Sequence, residues 1–252
     1  MSKAYDISML ICRILAGAFD KSDYGILSKK STWDFLFPIA EHHRILGAVN
    51  SALEKSDLTK SIPGEVKKAI QKSLIKHAKR SVKQQKYASV LFSKLNKADI
   101  PYLAIKGIVL TYLLYGADMV KRVYSDVDLL IAPVSVKPVT YELNNLGFFQ
   151  FDNEKKQYNC FELVSRDQLL KKQLFTHELA EFYSSDLGAK DISFDVNIHF
   201  SWKGTPEYDA PSIPFESLWE RRVFVPAINA WTLSANDMLL HLCVHLYNEA
   251  VF

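Results

Sequence analysis

Ser125-Asp126-Val127-Asp128-Leu129-Leu130-Ile131 sets two carboxylates two residues apart in a run that is otherwise apolar and is closed by Pro133. In a β-strand, residues i and i+2 point to the same face, so Asp126 and Asp128 project together while Val127 and Leu129 turn into the core. Neighbouring carboxylates repel, and each raises the other's proton affinity unless a cation lies between them. Hard oxygen donors at this spacing suit Mg²⁺, which proteins hold through one or two carboxylates plus substrate phosphates. Asp-x-Asp alone is a weak pattern, so its surroundings carry the weight.

A second acidic strand follows downstream. Ser193-Phe194-Asp195-Val196-Asn197-Ile198-His199-Phe200-Ser201-Trp202 alternates without a break, with Asp195, Asn197 and His199 on one face and Phe194, Val196, Ile198 and Phe200 on the other. An acid in an apolar strand is costly unless something pairs with it. If the two strands are neighbours, three carboxylates converge, and Asp195 binds a metal and helps deprotonate an attacking hydroxyl. Upstream, Lys106-Gly107 precedes a helix. There a glycine permits close backbone approach, helix-terminal N–H groups favour phosphate, and Lys106 adds positive charge. Arg122 offers a fork-shaped phosphate donor four residues before Asp126.

Around these strands the chain divides by pattern. Residues 1–98 read as a helical region, 99–230 as an α/β (α+β) core, and 231–252 as the start of a C-terminal helical segment without a stop signal, as in a truncated or frameshifted parent or at a boundary cut through a longer chain. In the first region Trp33, Leu36, Ala40, His43 and Leu46 recur at helical spacing, with Ser31 and Thr32 as N-caps and Pro38 as a kink or a late start. From Gly64 a Pro-free stretch carries Val66, Ile70, Leu74, Ile75, Val82, Tyr87, Val90, Leu91 and Leu95 through one long or two consecutive helices. Its many lysines read as a solvated face, because the aromatic interleaving of a nucleic-acid platform is sparse. In the core, strands are expected at 101–105, 125–132, 148–151, 158–164, 174–182 and 193–202, with a helix stopped by Gly147. Ser234 caps the last helix, which carries Met238, Leu239, Leu242, Val244 and Leu246.

The 252 residues are 48% hydrophobic and 23% charged, which is globular composition rather than disorder. A net charge of +3 does not predict nucleic-acid binding. The amino-terminal apolar stretch is broken by Asp6 and Arg13 and reads as an amphipathic helix, not a signal peptide. No apolar run reaches the roughly 20 residues of a membrane span. Cys12, Cys160 and Cys243 show no metal-type spacing and suit a reducing, cytoplasmic setting.

Taken together, Lys106-Gly107, a helix ending Leu114-Tyr115-Gly116, Arg122 and Ser125-Asp-x-Asp-Leu-Leu130 resemble an uncharacterised bacterial nucleotidyltransferase family of the DNA polymerase β-like superfamily. Trp33 with Ala40-Glu41-His42-His43-Arg44, the Asp195 strand and the helix Met238-Leu-Leu-His-Leu-Cys-Val-His245 extend the resemblance over most of the chain. It implies a nucleotidyltransferase-like mixed sheet flanked by helices, with Asp126, Asp128 and Asp195 as catalytic and Mg²⁺-binding acids. Lys106, Gly107, Arg122 and Ser125 then serve the nucleotide, although Lys106-Gly107 stands where better-known superfamily members carry Gly-Ser. The implied reaction is in-line attack by an acceptor hydroxyl on the α-phosphorus of a nucleoside triphosphate, ATP being the expected one, with two metals assisting. A small molecule is the first acceptor considered and a protein side chain, as in toxin–antitoxin pairs, the second. A catalytically silent binding module is the third reading. Neither a membrane nor a nucleic acid is an expected partner.

Other residues have plainer readings. Adjacent His177-Glu178 point opposite ways in a strand and read as structural. His241 and His245 share a helix face but lack a third ligand, which favours packing. His42-His43 read as helix packing, Cys160 and Cys243 as small buried hydrophobes, and Trp202, Trp219 and Trp231 as core, with Trp202 also able to line a base pocket. For Asn197 and His199, substrate contact and a satisfied polar role stay open.

Overall fold

The computed structural model describes residues 3–19, 21–116, 121–151, 163–175, 179–185, 192–200 and 213–251. It divides into two compact units, residues 1–82 with 111–124 and residues 83–110 with 125–252. These boundaries differ from those drawn on pattern: the first unit takes in residues 111–124, and the C-terminal helix belongs with the core.

The first unit is helical. It contains α1 (Lys3–Ala16), α2 (Lys21–Leu27), α3 (Lys30–His42), α4 (Leu46–Lys55) and the beginning of α5 (Gly64–Lys97). Ile7, Leu10, Ile11 and Ile14 recur at helical spacing and bury one face of α1 against Trp33, Leu36, Val49 and Leu53, as an amphipathic helix does. The Trp33 indole N–H donates to Leu27 O at 2.8 Å, satisfying the one polar atom of a buried ring. Arg13 pairs with the fully buried Asp23 at 2.7 Å. The expected caps of α3 are corrected. Lys29 holds the N-cap position without a side-chain bond, and Thr32 Oγ1 donates instead to Ile26 O. Pro38 neither starts nor ends the helix, because Leu36 before it and Ala40 after it are both locked in the core.

α5 is one helix of 34 residues. Its inward positions are Val66, Ile70, Leu74, His77, Ser81, Gln84, Ala88, Leu91 and Leu95, at steps of three and four. Ile75, Val82 and Val90, read from the sequence as part of that face, are exposed. Polar His77, Ser81 and Gln84 take the middle of the stripe.

The second unit is built on a seven-stranded mixed sheet in the order β3-β4-β5-β2-β1-β7-β6. The strands are β1 (Tyr102–Ile105), β2 (Val127–Ile131), β3 (Phe148–Gln150), β4 (Phe182–Ser184), β5 (Ser193–Asn197), β6 (Val223–Val225) and β7 (Ala230–Thr232). Pairs β2–β5 and β1–β7 are parallel and the others antiparallel. The acidic strand β2 therefore lies at the centre, buried along its whole length. One sheet face is filled from α5 and its neighbours: Phe92 stacks on Tyr102, and Tyr87, Phe148 and Phe194 meet edge to face. Lys94 ties α5 to α7 (Val136–Asn145) through Glu142 at 2.9 Å. Gly147 ends that helix in the left-handed region at φ 81°, as its position predicted.

Two expectations shift. Residues 174–182 are not one strand: 174 and 175 end α8 (Arg166–Phe175), and the strand begins at Phe182. Ser165 and Gln168 form a reciprocal capping box at the start of α8, a helix signal that the strand reading overlooked. Most of the expected strand 158–164 lies outside the described residues, as do His177-Glu178, Cys160 and Trp202.

α9 (Phe215–Glu220) and α10 (Ala235–Val251) complete the unit. Ser234 caps α10, accepting from Asp237 N at 3.2 Å. Met238 and His241 face inward, with His241 bonded to Phe200 O at 3.2 Å, so His241 packs as expected. Cys243 lies on the opposite side of the helix and is exposed, which corrects its reading as a buried hydrophobe. Trp219 and Trp231 are half-buried rather than core, with the Arg222 guanidinium 4.0 and 4.4 Å from their ring centres. Among the described residues no helix is long and apolar enough to cross a membrane.

Candidate active site

β2 and β5 run parallel, and their register sets Asp128 directly opposite Asp195, with Val127 opposite Phe194 and Leu129 opposite Val196. Paired residues on adjacent strands point to the same face, so the two carboxylates share one side of the sheet. The predicted convergence of the two acidic strands is therefore present in the fold. Asp126 is not part of the ladder, which begins at Val127. It stands in the bend just before β2, where Ser125 Oγ donates to its Oδ2 at 2.8 Å.

Lys106 and Gly107 connect β1 to α6 (Gly107–Tyr115). Lys106 occupies the left-handed region at φ 51°, as Arg44, Asp57, Asp99 and Asn229 also do. Its Nζ donates to Asp128 Oδ1 at 3.0 Å, and the Gly107 N–H also serves the Asp128 carboxylate. The structure thus places both residues on the inner acid, where the sequence reading had assigned them to phosphate. Arg122 belongs to the first compact unit and is half-buried.

The electrostatics follow from burial. Asp128 is almost wholly enclosed, and loss of solvent pushes its carboxyl up to about 7, with Lys106 pulling it down and Asp126 pushing it further up. Burial also works against the Lys106 ammonium, but Asp128, Asp195 and Asp126 outweigh it and hold the proton more tightly than usual. One ammonium thus sits in the field of three carboxylates. That surplus of negative charge suits a divalent cation, and the oxygen donors are of the hard type that Mg²⁺ takes. Among the described residues no three acid, imidazole or thiolate groups stand close enough to chelate an ion unaided. A Mg²⁺ held here would draw its remaining ligands from phosphate and water.

Asn197 is fully buried and donates from Nδ2 to Leu129 O at 3.2 Å, which ties β5 to β2 two residues past the acid pair. His199 lies beyond the end of β5, lining a cavity of about 270 Å³ with Leu130, Phe200, Phe215 and Leu218. Gln84 was missed by the sequence reading. It is fully buried on α5, and its Nε2 donates to Ser125 O at 2.9 Å. The signal lay in the spacing, since Gln84 falls on the helix stripe otherwise carried by Ile70, Leu91 and Leu95.

A mixed sheet whose central strand and parallel neighbour present facing aspartates, with a third beside them, has the form of a nucleotidyltransferase. Residues 29–252 match the model of the family described as uncharacterised nucleotidyltransferase, and the chain belongs to that family. Comparisons with curated proteins and with solved structures found no match.

Proposed function

We propose that the chain is a Mg²⁺-dependent transferase that moves a nucleoside monophosphate from a nucleoside triphosphate, ATP first, to a hydroxyl of a small acceptor. The observation that carries this reading is the in-register pair Asp128–Asp195, with Asp126 adjoining and Lys106 inserted among them. Asp126, Asp128 and Asp195 would hold the cation together with triphosphate and water oxygens, because no three acids among the described residues are close enough to chelate it by themselves. When bound, it neutralises their charge and that of the triphosphate. The half-buried Asp195 takes the proton of the acceptor hydroxyl as that oxygen bonds to the α-phosphorus and pyrophosphate departs. Lys106 opposes the protonation that burial imposes on Asp128, and its charge opposes the negative charge building on the phosphoryl oxygens.

The test is calorimetric titration of the full chain with Mg²⁺ and α,β-methylene-ATP, set beside Asp126→Ala/Asp128→Ala. Binding that needs both Mg²⁺ and the acids is the expected result. A wild type that binds no nucleoside triphosphate under these conditions removes the enzyme reading.

A further inference from the structure

The two acids that open the motif are held by different means. Asp128 is locked by the sheet, paired with Ile105 on one side and Asp195 on the other. Asp126 precedes the ladder, so strand pairing does not fix where its carboxylate points. Its bend is held from α5 instead: Gln84 Nε2 donates to the Ser125 carbonyl at 2.9 Å, and Ser125 Oγ donates to Asp126 Oδ2 at 2.8 Å.

Gln84 is one of the polar residues, with His77 and Ser81, in the middle of the α5 stripe. It is fully buried at a stripe position that Leu91 and Leu95 fill further along. Because the carbonyl of Ser125 must receive an N–H, the orientation of the amide is determined, and its Oε1 is left buried with no hydrogen-bond partner among the described residues. An apolar side chain of the same size would escape the penalty on Oε1 but would leave the part-buried Ser125 carbonyl without its donor, so the two effects oppose each other. A polar group kept at a cost, with its one bond directed at the bend before a functional acid, is characteristic of support for a site.

We propose that Gln84 is a positioning residue for Asp126, acting through the Ser125 carbonyl to aim that carboxylate at the cation and triphosphate. This rests on the transferase reading above. Gln84→Met keeps the length of the side chain and removes the donor; Gln84→Glu keeps the shape and sets a carboxylate against the Ser125 carbonyl. Both are titrated as full chains with Mg²⁺ and α,β-methylene-ATP beside wild type and Asp126→Ala, and each is melted.

Losing one directing hydrogen bond is expected to weaken Mg²⁺-dependent binding about tenfold in Gln84→Met, with a melting temperature close to that of wild type because relief of Oε1 offsets the lost bond to Ser125. Gln84→Glu should bind at least as weakly. If Asp126→Ala loses binding while both Gln84 variants bind like wild type, the positioning role is wrong and the transferase reading stands. Affinity lost only in step with melting temperature in both variants assigns Gln84 to folding and also overturns the proposal. A wild type that does not bind the analogue overturns both readings together.

Discussion

Replacing Asp128 with asparagine should make the protein more stable, and only above a particular pH. Asp128 is enclosed at the centre of the sheet, and burial raises its carboxyl from an ordinary 3.8 to about 7. Between those values the folded chain holds a proton that the unfolded chain releases, so stability falls as pH rises from about 4 to about 7, by about 1.4 kcal/mol per pH unit. Above about 7 both states are ionised and the loss is complete, on the order of 4 kcal/mol. Asparagine imitates the protonated carboxyl, retains an oxygen for Lys106, and has no proton to exchange. Asp128→Asn and wild type should therefore be nearly equal in stability at pH 4. At pH 8 the variant should lead by about 2 to 4 kcal/mol, the lower figure allowing for relaxation around the buried charge. Urea unfolding of both proteins at pH 4.5, 6 and 8, in EDTA to exclude bound cations, measures the gap directly. A variant no more stable than wild type at pH 8, or a gap that does not change with pH, refutes the account of Asp128 as a buried and costly charge.

Three further outcomes are expected. Asp195→Asn should reduce pyrophosphate release by at least about a hundredfold while leaving the circular dichroism melt close to wild type, because it removes a proton acceptor without changing side-chain shape. Leu36→Ala, at a fully buried position of α3, should cost about 3 kcal/mol in urea unfolding through the cavity it leaves. Ser234→Ala removes the cap of α10 and should cost about 1 kcal/mol, read as a lowered melting temperature. Hydrogen bonding from Arg221 and then Ser234 holds the Asp237 carboxyl below its ordinary value, so its contribution is present above that value and is lost as acidification protonates it.

Much of the fold was legible because it rests on local rules. The alternation of Ser193–Asn197, the closing Pro133, the stop at Gly147 and the cap at Ser234 each act within a few residues, and each is present in the structure. Errors arose where two local signals competed. Residues 174–182 combine apolar content with a preceding Ser-x-x-Gln box, and the box prevails because it satisfies two helix-terminal donors at once. On α5, hydrophobicity alone points Ile75, Val82 and Val90 inward, whereas all three are exposed. The real stripe passes through Ser81 and Gln84, which a count of apolar residues cannot find.

The site divides along the same line. The convergence of Asp128 and Asp195 could be anticipated because a period of two decides which side each strand presents, leaving only the pairing of the strands to be learned. What Lys106 and Gly107 do was not readable, since it depends on β1 running antiparallel to β2 so that Ile105 pairs with Asp128 and the next residue meets that acid. The pairing explains why the two residues occur together: the left-handed turn at Lys106 brings its ammonium to Asp128 Oδ1, while the N–H of Gly107 reaches the same carboxylate. Two donors converge on one buried acid and oppose the protonation that burial imposes. Gln84 and Ser125 serve the outer acid in the corresponding way, so each aspartate of the motif has its own support from a distant part of the chain. An Asp-x-Asp that arose by chance would not need either support, and their presence is the strongest physical reason to treat this motif as a site.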